Sequence, residues 1–358
     1  MNGYERFLKA VERKQPDRVP IWELLVDRPA IEKLYGDISY LDFVEKEDLD
    51  GLTIFEDSKR DLIEGISYRD EWNIIWKLEP NGIFYPFDGP IKTYNDLKNF
   101  ILPDPDADYL YKTLKEAVRR FKGERAITFL THETFEYSHY LFGGMDKIFI
   151  NYITEPNFVK ELLEIIWQYK SETIRNALEI GADMIVTGDD YAGRIGTLMS
   201  PEHFREFILP YLKEAIDLTH SLGAYFIKHT DGNLWKILDD IVDAGIDGLD
   251  PIEPIAHMDI GMVKEKYGER ICLAGNVDVT AILPRGTREE VEEAVKETIA
   301  KASPGGGHIM ASSNSIHPGV KPENYRIMVE ATRKYGTYPL DEKMVNKYKS
   351  KNYIGKYF

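Results

Sequence analysis

The chain of 358 residues has a single cysteine, Cys272, within "ERICLAGN". A lone thiol excludes an intramolecular disulfide and any cysteine-rich metal centre, and it fits a cytoplasmic setting. No apolar run approaches the roughly 18 residues of a membrane span. The first stretch, "MNGYERFLKAVERKQPDRVP", is charged and helical in pattern and has no signal-peptide core. Positive charge is also short: 45 Lys and Arg stand against 61 Asp and Glu, a net charge of −16. That balance argues against nucleic acid or an anionic membrane as the main partner. Glutamine occurs only at positions 15 and 168, whereas Glu and Lys are abundant, a bias of the kind met in heat-adapted proteins. No low-complexity linker divides the chain.

What is present is an ordinary folding composition, 43% hydrophobic and 30% charged. Short apolar runs bounded by turn signals recur at 18–25, 51–57, 126–132, 183–189, 224–229, 246–252, 271–276 and 307–313. Each suits a strand buried on both faces. Amphipathic stretches lie between them, at 155–181, 200–223, 287–306 and 321–336. Several open on Ser, Thr or Pro and close on Gly, and Pro210 should kink or split the second. Strand and helix alternating in this way predict an α/β fold, a (β/α)8 TIM barrel. An open doubly wound sheet is the competitor, but no G-x-G-x-x-G follows the first strand. "SYRDEWNIIWKLEPNGIFYPF" breaks the alternation and reads as a β-hairpin, with "PNG" as its turn, inserted after the second strand. The expected organisation is one barrel domain over residues 1–340 with a C-terminal tail over 341–358, which could dock on its own barrel or on a neighbour.

Chemistry in such a barrel gathers at the C-terminal strand ends. Those ends carry Glu23 and Asp27, Glu56 and Asp57, His132 and Glu133, Asp189 to Tyr191, His229 and Asp231, Asp250 and Glu253, Asn276 and Asp278, then Asn314 and His317. Some suit a bland role: Asp231-Gly232 and Asn276–Asp278 could form turns, His317 could pack at the start of the last helix, and His257 and His308 read as structural or surface residues. The most informative stretch is "AYFIKHTDGNLW", in which a buried-looking strand ends on His229 and Asp231. An imidazole nitrogen and a carboxylate oxygen are both zinc ligands, and a catalytic zinc keeps three protein ligands with one position open. His229 and Asp231 are therefore the predicted metal ligands. They join Asp190 and Glu133 as candidate catalytic residues. Glu23, Asp189, Tyr191, Asn276, Asn314 and His317 are the candidate substrate contacts.

Five stretches in order, "GPIKTYNDLKNF" (89–100), "DDYAGRIGTLMSPEHFREFILPYLKEAI" (189–216), "FIKHTDGN" (226–233), "ICLAGNVDVTAIL" (271–283) and "SSNSIHPGVKPENYRIMVEATRKYG" (312–336), resemble the uroporphyrinogen decarboxylase superfamily. That group also holds cobalamin-dependent methyltransferases and demethylases of methoxylated compounds. The resemblance implies a single barrel with its cleft at the strand C-termini. It also implies departures. True decarboxylases of this family carry paired arginines after the first strand that hold the substrate's carboxylates. Here the segment reads "RVPIWELLVDRPAIEKLYG", with only Arg28 nearby. A family His before the final helix is replaced by Asn314. The thiol-methylating branch keeps His-x-Cys-Gly and a second Cys as zinc ligands, where this chain has His229, Asp231 and Asn314.

Exchange of soft for hard ligands suits an oxygen-bearing substrate. The resemblance thus implies a methyltransferase that takes a methyl group from a small methylated, methoxy-type compound. A Zn2+ ion would sit at the barrel mouth, with Glu133, Asp189 or Asp190 completing its shell. The acceptor would be a corrinoid on a separate partner protein, since no Asp-x-His-x-x-Gly corrinoid loop occurs in the chain. A homodimer is compatible with this reading. The alternatives are a metal-free decarboxylase of the same fold and a non-catalytic ligand-binding barrel; buried mouth carboxylates speak against the latter.

Overall fold

A computed structural model of the chain describes residues 1–78 and 84–356. Its strands in chain order are β1 (Gly51–Phe55), β2 (Asp61–Glu64), β3 (Ser67–Arg69), β4 (Ile75–Leu78), β5 (Phe84–Asp88), β6 (Ala126–Thr131), β7 (Met184–Thr187), β8 (Tyr225–His229), β9 (Gly248–Asp250), β10 (Cys272–Ala274) and β11 (His308–Ile309). Seven of them make one parallel sheet in the order β1-β6-β7-β8-β9-β10-β11. The predicted first strand, 18–25, lies in the gap between β11 and β1 without becoming a regular strand. Trp22 N–H donates to Met310 O and Met310 N–H to Pro20 O on one side, while Asp50 N–H donates to Ile21 O on the other. Pro20 has no N–H for a ladder, and the Ile21 N–H goes instead to the Asp50 carboxylate at 2.8 Å. The barrel thereby closes through a few bonds rather than a full strand pair.

The alternation of side chains along each strand sets what faces the lumen. Trp22, Leu24, Ala126, Leu130, Met184, Val186, Ile227, Cys272, Ala274, Ile309 and Ala311 form one apolar cluster inside the barrel, joined by Phe7, Ala10 and Val11 of helix Gly3–Val11. Ile127, Phe129, Ile185, Phe226, Leu249 and Leu273 belong instead to the outer cluster, with the helices. The lone thiol of Cys272 is thus a buried core group.

The predicted helices form over Pro156–Ile180, Arg288–Ala302 and Pro322–Tyr335. The stretch 200–223 splits as Pro210 requires: a short turn at Pro201–His203, a wider π-type turn at Phe204–Ile208, then helix Leu209–Ser221. The proline lacks an N–H and its ring crowds the preceding turn, which opens to accommodate it.

The insertion after β1 is a four-stranded antiparallel sheet, β2-β3-β4-β5. Its last pair is the predicted hairpin, with Leu78 opposite Phe84; the "PNG" turn itself falls outside the described residues. Aromatic contacts seat this sheet on the barrel. Trp76 meets Tyr140 at 5.3 Å between ring centroids, and Trp72, from the loop before β4, meets Tyr169 at 4.5 Å. The C-terminal tail packs on its own barrel, where Tyr348 and Tyr353 hydroxyls donate to the two oxygens of Glu293 at 2.7 and 2.6 Å. Among the described residues, no helix is long and apolar enough to cross a membrane.

Candidate metal centre at the barrel mouth

Ile227 faces the lumen, so His229, two residues on, does too, and Asp231 follows just past the end of β8. On the neighbouring strand, Val186 faces inward and the same parity brings Asp190 to the mouth. Asp190, His229 and Asp231 each offer one ligand atom, and these atoms lie within 4.8 Å of one another. The backbone enforces the convergence. Gly232 has φ 88°, and a Cβ there would lie 2.5 Å from Ala192 O, so only glycine lets the chain turn against the loop after β7. Asp231 N–H then donates to Asp190 Oδ1 at 2.9 Å, and Gly232 N–H to Glu253 at 3.0 Å.

His229 Nδ1 lies 2.5 Å from Asp250 Oδ2, and its Nε2 is 3.7 Å from Asp231 Oδ1. Asp231 Oδ2 accepts from the Asn314 amide, whereas Oδ1 is buried and has no hydrogen-bond partner among the described residues. Burial alone would lower the His229 pKa, but Asp250, Asp231 and Asp190 outweigh it and raise it to about 9. Burial, then the charge of Asp190, pushes Asp231 up to about 8. Burial also raises Asp190 and Glu253, against the opposing pull of His229. Carboxylates crowded in this way resist ionising together unless a cation joins them. The orphaned Asp231 Oδ1 is an acceptor facing such a position. Zinc legs of about 2.0–2.1 Å put ligand atoms about 3.3 Å apart, so closing the group on an ion takes movements of about an ångström. The residues fit a divalent ion.

The other candidate residues separate into distinct places. Glu133 and Asp189 lie behind the barrel wall, not in the lumen. Glu133 is fully buried, paired with Lys228 Nζ at 3.0 and 3.1 Å, and it accepts from the Thr187 hydroxyl. Burial raises its pKa and the Lys228 ammonium opposes that rise. Asp189 Oδ2 accepts the N–H groups of Glu133, Thr134 and Phe135, and Oδ1 takes Glu136 N–H and His132 Nδ1, capping helix Phe135–Phe142. Burial opposes its ionisation, but these donors hold its pKa below the usual carboxylate range. Tyr191 is buried with them; Lys228 Nζ sits 4.3 Å from its ring centre.

Glu23 is buried beside Ser312, whose hydroxyl donates to it at 2.6 Å, and burial raises its pKa to about 8. Asn276 spends its amide on Ile252 O and on Thr298, and it lines a separate cavity of about 250 Å³ with Lys301 and Tyr353. His317 uses both ring nitrogens on backbone, with Val279 O at 2.9 Å and Gly319 N–H at 3.0 Å. Asn314 alone among these reaches the metal group directly. Asp250 had no assigned role in the sequence. The signal for it lies in strand pairing, because His229 stands opposite Asp250 in the β8–β9 register.

The comparisons with known proteins agree with this architecture. A curated uroporphyrinogen decarboxylase from Psychromonas ingrahamii is 24% identical over 353 residues, covering 91% of this chain and 96% of that protein. One from Geobacter sulfurreducens is 24% identical over 348 residues, covering 92% and 98%. Among solved structures, a methyltransferase from Methanosarcina mazei superimposes with a TM-score of 0.75 at 21% identity, over 94% of this chain and 99% of that one. The family model described as uroporphyrinogen decarboxylase matches residues 81–335. The chain therefore belongs to the uroporphyrinogen decarboxylase family.

Proposed function

We propose that the protein is a cytoplasmic methyltransferase that moves a methyl group from a small, oxygen-bearing methylated compound to a corrinoid carried by a separate protein. Asp190, His229 and Asp231 would hold a divalent ion, Zn2+ first among candidates. The observation that carries the reading is the convergence of these three side chains, together with a buried Asp231 oxygen that has no hydrogen-bond partner among the described residues. The ion would supply Lewis acidity to the donor's oxygen, and the partner's corrinoid would supply the nucleophile for its methyl carbon. The chain's own part is to hold the three ligand side chains at one wall of the mouth, with Glu253 and Asp250 behind them.

Decarboxylation of a porphyrinogen is the second reading, favoured by the names of the curated relatives. The charges around Asp231 speak against it. The groups that act most on Asp231 are Asp190, His229, Glu253 and Asp250, with no guanidinium among them to clamp a polycarboxylate. Arg28 is spent on Glu32 and Asp37 at the surface. The deciding experiment incubates zinc-loaded protein with methoxy-arenes and simple methyl ethers in the presence of a reduced cobalt(I) corrinoid and follows loss of the cobalt(I) absorbance. Transfer that vanishes in His229→Ala supports the proposal. Decarboxylation of uroporphyrinogen at an ordinary enzymatic rate, with no methyl transfer, overturns it.

A further inference from the structure

Each side chain of the metal group has one polar atom tied and one left over. The His229 Nδ1 is held by Asp250 Oδ2 at 2.5 Å, which leaves Nε2 facing Asp231. The Asp231 Oδ2 is held by the Asn314 amide, which leaves the unpartnered Oδ1. Asp190 Oδ1 accepts Asp231 N–H, which leaves Oδ2. Asp250 is buried, and its own backbone O accepts Thr230 N–H, so the strand register fixes where its carboxylate stands. Asn314 is fixed from its other side, since its Oδ1 accepts Ser315 N–H at 2.6 Å.

From this pattern we infer that Asp250 and Asn314 are positioning residues. Asp250 selects the Nδ1–H tautomer of His229 and aims its Nε2, and Asn314 turns Asp231 so that Oδ1 is the ligand atom. The inference rests on the reading of Asp190, His229 and Asp231 as the metal group. It has a consequence for the shell. With its NH2 donating to Asp231 and its Oδ1 accepting Ser315 N–H, Asn314 would not serve as a ligand, so an ion there would have three protein ligands and an open position for the substrate's oxygen. A ligating imidazole held by a carboxylate on its other nitrogen is a recurrent device, and loss of such a partner typically weakens metal binding about 10–100-fold.

The test compares wild type with Asp250→Ala, Asp250→Asn and Asn314→Ala. Three readouts are taken: Zn2+ affinity by competition with a chromophoric chelator, the visible spectrum of the Co2+-loaded protein, and the 15N spectrum of the metal-free imidazole at a pH where it is neutral. Asp250→Ala should bind Zn2+ about 10–100-fold more weakly and alter the Co2+ bands. Asp250→Asn, which keeps one acceptor oxygen, should recover part of the affinity, and it remains informative should the alanine variant not fold. Asn314→Ala should weaken binding and change the Co2+ bands without altering the His229 tautomer. Wild type should show Nδ1 protonated. Variants that bind Zn2+ like wild type with the same Co2+ spectrum overturn the inference while leaving the metal group intact. Wild type that binds no metal overturns the metal reading; the imidazole spectrum then still decides the orientation, and an Nε2–H tautomer refutes it.

Discussion

Replacing Lys228 with Met separates the residues behind the barrel wall from those in the lumen. Lys228 and Glu133 side chains are both fully buried. The ammonium donates to both carboxylate oxygens, and Thr187 donates to the same group. Lys228→Met leaves an uncompensated buried carboxylate, which costs about 3–5 kcal/mol. With an unfolding entropy of about 2.1 cal/mol/K per residue, 358 residues give about 0.75 kcal/mol/K, so the midpoint should fall by about 4–7 °C. Glu133→Gln strands the ammonium and should cost a similar amount. The double variant removes both charges and should lie within about 2 kcal/mol of wild type, a coupling of several kcal/mol. Thermal and urea unfolding of the four proteins give the cycle, and Zn2+ titration of folded Glu133→Gln supplies the control. Metal affinity should be unchanged in it. A coupling under about 1 kcal/mol, or a well-folded Glu133→Gln that no longer binds metal, would refute the placement of this pair.

Other expectations follow from neighbouring contacts. Asp189→Ala strands four backbone N–H groups at the start of helix Phe135–Phe142 and should cost about 2–4 kcal/mol, read by urea unfolding. Gly232→Ala combines a positive φ with a Cβ 2.5 Å from Ala192 O; it should weaken metal binding at least about tenfold, because Asp231 moves with the turn. Metal affinity should also rise with pH. His229 and Asp231, raised to about 9 and about 8, carry protons at neutral pH that an ion must displace. Competition titrations between pH 6 and 9 should therefore show about a tenfold to hundredfold gain per unit, levelling off above about pH 9.

The barrel was legible because buried parallel strands and amphipathic helices alternate in the sequence itself. The first stave was legible as apolar chain but not as an irregular edge, since that depends on the Asp50 carboxylate reaching Ile21. His229 and Asp231 could be picked out as a pair because their spacing puts both on one side of the chain. Choosing Asp190 over Asp189 could not be done from sequence. Strands apolar on both faces carry no mark of which parity faces the lumen, and these adjacent aspartates point to opposite sides of the wall. Glu133 fails to reach the lumen for the same reason. Asp250 and Asn314 meet the group only through strand register and the return of the chain at β11, which are long-range facts. Asn276 follows β10 closely, whereas His317 lies in the loop between β11 and helix Pro322–Tyr335, and the polar atoms of both are already satisfied by neighbouring backbone and Thr298.

The central claim is that Asp190, His229 and Asp231 hold a divalent ion. Its most direct test is the metal content of protein made without an affinity tag or chelator and analysed by mass spectrometry, beside His229→Ala. Wild type should carry about one equivalent of zinc per chain and the variant less than about a tenth. Wild type with less than about a tenth of an equivalent, and no uptake when Zn2+ is added back at pH 9, contradicts it.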